Sequence, residues 1–194
     1  MRKTEITKKF IIEKTAPVFN KKGFVGTSLS DLTSATGLTK GSIYGNFKNK
    51  NEVAVEAFKY NYEQVTSKVI TGIHNNETAK QKLLSFLSFY KQNYQTIFKN
   101  GGCAILNTAV DSDDGNPLLK REVKKAIQSW EKSINKIIQE GIEKKELKNI
   151  DPNKFASKMI ALIEGSIMLS KITDRPEYLL NNIEYLEGEI ERLS

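Results

Sequence analysis

The chain has 194 residues, 39% of them apolar and 27% charged, with 4 Pro and 12 Gly. That is a globular composition for one or two small domains, and it excludes disordered and collagen-like chains. No apolar run reaches the ~18 residues of a membrane span and no charged-then-apolar leader opens the sequence, so a cytoplasmic protein with no membrane partner is expected. A single cysteine, Cys103, and a single histidine, His74, exclude a disulfide framework, a zinc finger and most catalytic triads. No metal, cofactor or catalytic residue is therefore expected.

The net charge of +7 is unevenly spread. Residues 1–50 hold ten basic and three acidic side chains, whereas the other 144 residues hold 20 of each. A cationic segment on a neutral body points to a polyanionic partner; the bland alternative is a lysine-rich solubilising surface.

A period near 3.6 runs through nearly every segment and no stretch alternates as a strand does, so the fold class is all-α, with about nine helices. The first helix is predicted over 3–22, with Ile12, Ala16 and Phe19 on its apolar face, Ile11 beside it, Pro17 either kinking it or freeing one carbonyl, and Gly23 as its stop. Thr27 and Ser28 open a second helix, where Ser28 and Asp31 make a capping-box pair, and Gly37 ends it. Thr39 caps a third helix of under two turns, and a long fourth helix starts at Asn49 or Lys50 and ends near Gly72. His74, Asn75 and Asn76 form a polar break. Further helices are predicted over about 78–99, 103–111, 116–145 and 151–173, and a last one follows Arg175-Pro176.

Residues 24–53 are the informative stretch: two short helices joined by Ala35-Thr36-Gly37-Leu38, with Leu29, Leu32, Leu38 and Ile43 available to pack them together. This is the layout of a helix-turn-helix, whose second helix enters the major groove of duplex DNA by its N-terminal end. That helix offers Thr39, Lys40, Gly41, Ser42, Tyr44, Gly45 and Asn46, with small residues that permit close approach. Thr27, Ser28, Tyr44 and Lys50 are placed for phosphates, and backbone N–H groups at Thr39 and Asn49 can add to them. Lys40 either reads a guanine edge or neutralises a phosphate. Phe47 is expected in the core, and Lys3, Lys8 and Lys9 on a solvated face.

The run from Phe24 to Val53, with Ala16, Phe19 and Gly23 before it, resembles the signature of TetR-family transcriptional regulators. The resemblance implies a three-helix DNA-binding domain over 1–48 and a ligand-binding and dimerisation domain over 49–194, with 49–72 as a linker helix. Thr33 and Thr36 stand where the family more often has alanine, and their hydroxyls can bond the carbonyl four residues back.

In the second half, Phe86, Phe89, Tyr90, Tyr94, Phe98 and Trp130 exceed what packing two helices needs. A pocket between helices is mainly apolar with a few polar groups. The resemblance implies such a pocket for a small hydrophobic or aromatic effector, with Phe86, Phe89, Tyr90, Cys103, Asn107, Trp130 and Ile163 as candidate lining. Cys103, with no basic neighbour, reads otherwise as a small buried residue rather than a redox sensor.

The helix over 151–173 is apolar on more than one side, and Leu179, Ile183, Leu186, Ile190 and Leu193 form an a/d seam. Ile160, Ile167, Leu179, Ile183, Leu186 and Ile190 are therefore expected to build a homodimer interface, which would set two recognition helices at the ~34–36 Å spacing of a near-palindromic operator. The whole reads as a ligand-responsive DNA-binding repressor and not an enzyme. The alternatives are an all-helical interaction module of the same fold, without ligand control or without DNA activity.

Overall fold

In the computed structural model residues 3–193 are described, and among them the regular structure is entirely helical. The order is α1 (Lys3–Gly26), α2 (Leu29–Thr36), α3 (Lys40–Tyr44), α4 (Lys50–His74), α5 (Ala79–Lys99), α6 (Ala104–Ser112), α7 (Pro117–Glu143), α8 (Pro152–Thr173) and α9 (Glu177–Arg192). Nine helices among the described residues agree with the periodicity. No helix there is long and apolar enough to cross a membrane.

Local chemistry accounts for the helix ends. Ser28 caps α2: its hydroxyl accepts from the Asp31 N–H at 3.1 Å while the Asp31 carboxylate accepts from the Ser28 N–H at 2.8 Å. Gly37 closes α2 at φ 69°, a left-handed conformation that glycine adopts without steric cost. Thr39 caps α3 by accepting from Ser42 N–H at 3.2 Å, and the Asp151 carboxylate caps α8 ahead of Pro152. Helix α1 carries exposed Pro17 within it and breaks at Gly23, where φ is 71°, the stop expected from the sequence. Its buried stripe is Ile11, Thr15, Ala16 and Phe19, with Ile12 only half-buried.

Two compact units divide the chain. The first holds the chain through Gln64 together with Asn100–Ala126, and the second holds Val65–Lys99 and Ile127–Ser194. The division falls inside α4 and α7, because α6 packs on α1 and brings residues 100–126 into the unit of the short helices.

In the first unit α1 packs on α2 and α6, and α2 on α3, over buried Ile11, Leu32, Ile43, Phe47 and Val53. In the second unit α9 packs on α8 and α5. Leu179, Ile183 and Ile190 are fully buried there, and Leu186 and Ile167 are 1% exposed. The α9 seam is thus intrachain core, and these five residues have no surface to offer a partner; Ile160 is half-buried. The sequence period was right and its direction was not, since an a/d stripe packs equally well on a helix of its own chain. What α8 leaves exposed is a different stripe, Ala161, Met168 and Ile172, with half-buried Gly165 between.

Candidate nucleic-acid interface

Helix α3 has five residues, too few to persist alone. It is held by the Thr39 cap, by buried Ile43 beneath it, and by the Asn46 carboxamide donating to Ser42 O at 2.9 Å. Its outer side carries Thr39, Lys40, Gly41 and Gly45, all exposed, with Ser42, Tyr44 and Asn46 half-buried. A Cβ built at Gly41 meets nothing closer than the Thr39 hydroxyl at 3.9 Å, whereas at Gly45 it would come within 3.1 Å of Gly41 O. Gly45 is thus small for its own helix, and Gly41 leaves open space outside.

The start of α4 lies next along the chain. Asn49 accepts from Glu52 N–H at 3.0 Å, and the Glu52 carboxylate accepts from Lys48 N–H at 2.6 Å. Exposed Lys48 adds positive charge there. Half-buried Lys50 sits with its ammonium 4.4 Å from the centre of the Phe24 ring. Burial pushes its pKa below the ordinary lysine value, and the carboxylates of Asp111 and Asp31 pull it back up.

The expected contact residues fare unequally. Thr27 is fully buried, with its hydroxyl donating to Gly23 O at 2.6 Å, so it serves the turn after α1 and has no surface for a phosphate. Ser28 is exposed, but its hydroxyl is engaged in the α2 cap and donates to Asp31 at 2.9 Å. Phe47 is core at 2% exposure, with the Lys8 ammonium 5.4 Å from its ring centre. Thr36 donates to Leu32 O, four residues back, at 2.7 Å, and Thr33 donates to Ser30 O, three back, at 3.0 Å.

Sequence reasoning missed what fixes this surface from behind. The Asp111 carboxylate on α6 accepts from Phe24 N–H, just past the Gly23 break. A Cβ at Gly23 would lie 2.8 Å from that carboxylate. The Asn107 carboxamide donates to Asn20 O at 3.0 Å and Gly101 O at 2.9 Å, while Asn20 donates to Asn100 O at 2.7 Å. The Lys22 ammonium pairs with Asp31 at 2.6 Å, tying the end of α1 to α2. Of these the Lys22–Asp31 pair and the Asn107–Gly101 bond span short sequence distances; the rest join residues about 80 positions apart.

Of the expected effector residues, the structure brings together Phe86, Phe89, Tyr90 and Trp130 in the second unit. Ile163 is buried in that unit. Asn107 and half-buried Cys103, which precedes α6, belong to the first unit.

Residues 11–57 match the bacterial regulatory proteins of the tetR family, and residues 79–186 match the tetracyclin repressor-like C-terminal domain. The chain belongs to the TetR family. A TetR-family regulator from Cytophaga hutchinsonii is 44% identical, with a TM-score of 0.94 over 100% of this chain and 98% of that one. Another, from Chloroflexus aurantiacus J-10-FL, is 33% identical, with a TM-score of 0.91 over 100% and 98%. The HTH-type transcriptional repressor DhaR of Mycobacterium sp. (strain GP1) is 24% identical over 170 residues, 87% of this chain and 84% of that protein. This TetR-family chain is accordingly a DNA-binding transcriptional regulator, with α2 and α3 as its helix-turn-helix.

Proposed function

We propose that the protein is a homodimeric repressor that binds a near-palindromic duplex operator and is released by a small hydrophobic or aromatic effector. The observation that carries this reading is the exposed start of α3, where Thr39, Lys40 and Gly41 project from the segment 1–50, which holds all of the net positive charge. Thr39, Lys40, Gly41 and Gly45 then meet base edges and sugars, with Ser42, Tyr44, Asn46, Lys48 and Lys50 nearer the phosphates.

The dimer reading is supported by α8. Ala161, Gly165, Met168 and Ile172 recur at helical spacing, with Met168 49% and Ile172 78% exposed, beside Leu169 at 40%. An apolar stripe of this kind on a soluble chain calls for a cover, and a second copy of α8 meeting it about a two-fold axis supplies one. The effector reading is supported by the ring cluster of Phe86, Phe89, Tyr90 and Trp130. Control follows if the effector prefers one pose of α4, the helix that carries the chain out of the DNA-binding unit.

Sedimentation velocity at micromolar protein tests the assembly: the wild type runs as a dimer, and Ile172→Glu as a folded monomer with weakened operator binding. Footprinting on duplexes selected from a random pool is expected to show two half-sites ~34–36 Å apart. Binding that is insensitive to salt, or a wild-type monomer throughout, refutes the reading.

A further inference from the structure

Trp130, on α7, is the only tryptophan of the chain. It is 8% exposed, and its ring centre lies 5.7 Å from that of Phe86 and 6.2 Å from that of Tyr90, the latter nearly parallel at 18°. Phe86 and Tyr90, themselves 3% and 5% exposed, are 5.5 Å apart, and Phe89 meets Tyr90 edge-on at 5.2 Å. The ring faces thus satisfy one another. The indole Nε1–H does not share in this: it is shut off from solvent and has no acceptor among the described residues.

An indole nitrogen can only donate, and buried donors in folded proteins are nearly always paired. A phenylalanine would supply the same aromatic contacts with no bond left unmade, so packing alone does not account for tryptophan here. The four side chains of the cluster carry no charge. An anionic ligand would shed its hydration for a single N–H, which is unfavourable.

We propose that the Trp130 Nε1–H is the polar anchor of the effector site, and that the effector class is a neutral planar aromatic with a hydrogen-bond acceptor on its edge, a ring nitrogen or a carbonyl oxygen. This rests on the effector reading above and adds to it the group that selects among aromatic ligands. The ring faces of Phe86 and Tyr90 set shape, and the indole N–H sets orientation.

Quinoline and naphthalene are the discriminating probes, since they differ by one C–H exchanged for a ring nitrogen. Both are titrated calorimetrically into the full-length wild type and W130F, which keeps an aromatic ring and removes the donor. W130F is expected to bind quinoline about fivefold more weakly, as befits one neutral hydrogen bond, and naphthalene within about twofold of wild type. Comparing the two proteins cancels the different hydration of the two ligands. Independently, wild-type protein carrying 15N in its one indole gives a single N–H resonance, expected to move downfield with quinoline and not with naphthalene. That second measurement decides the question if W130F fails to fold. Equal losses for both ligands, or an indole resonance indifferent to the ring nitrogen, overturn the anchor and leave the effector reading standing. Failure of both ligands to bind the wild type, up to the highest concentration each reaches in water, removes the aromatic effector itself, and the anchor with it.

Discussion

In the first unit α2 and α3 are eight and five residues long, and α1 breaks at Gly23 before reaching them. In the second unit α5, α8 and α9 run to 21, 22 and 16 residues, and α9 presents an unbroken apolar seam to its neighbours. Helices as short as the first pair do not hold themselves together in water. They are fixed by discrete polar bonds: the Ser28–Asp31 box, the Thr39 cap, the Lys22–Asp31 pair and the Asp111 carboxylate on Phe24 N–H. The long helices are fixed mainly by burial. Directional bonds set a pose finely at little depth of energy, which suits a surface that must match a groove, whereas area sets stability and tolerates small shifts.

That contrast yields an ordered set of expected effects. Leu186→Ala, deep in the α9 seam, should cost the most, about 3 kcal/mol in urea unfolding. At protein concentrations where it stays folded, its operator affinity should remain near wild type; a loss of dimerisation with stability intact would mean that the seam faces a partner after all. Gly23→Ala places a Cβ at φ 71° and 2.8 Å from the Asp111 carboxylate, and should cost about 1–2 kcal/mol. Unlike the α9 variant, it should weaken operator binding in gel shifts more than it lowers the unfolding midpoint. Ser28→Ala removes one half of the capping box, for about 1 kcal/mol and a modest fall in DNA affinity; no change in either would show that the cap does not pose α2.

The smallest effect is a titration. The Lys22 hydrogen bond, joined by the Ser28 N–H and hydroxyl, holds the Asp31 carboxyl at about 2 instead of its usual 3.8. A depressed folded pKa stabilises above the unfolded value, and that stability is lost as pH falls through the folded one. The urea midpoint of wild type should therefore exceed that of Asp31→Asn at pH 5, with the gap closing between pH ~4 and ~2. A gap unchanged with pH would mean that Asp31 acts by shape and not by charge.

Capping boxes, glycine stops and helical periods are written within a few residues of one another, so the boundaries of α2 and α3 and the place of Lys40, Gly41 and Phe47 were legible in the chain alone. Where those signals were misread, the cause was tertiary. Thr27 has the composition of a phosphate contact, yet the return of the chain after Gly23 buries it beneath its own turn. Asn107 looked like a polar group among aromatics, and the packing of α6 on α1 engages it with Asn20 instead. Periodicity states that a helix has an apolar side and is silent on which helix covers it: Leu179, Ile183 and Ile190 turned inward, while Met168 and Ile172 turned out.

By itself, then, the sequence determined an all-helical regulator with a cationic helix-turn-helix near its start, because caps, turns and charge act over short stretches. Which residues steady that motif from behind, which apolar stripe stays open, and which donor is left buried beside Phe86 and Tyr90 were decided only when distant segments met. Such contacts join groups about 40 to 90 positions apart, and no local pattern encodes that meeting.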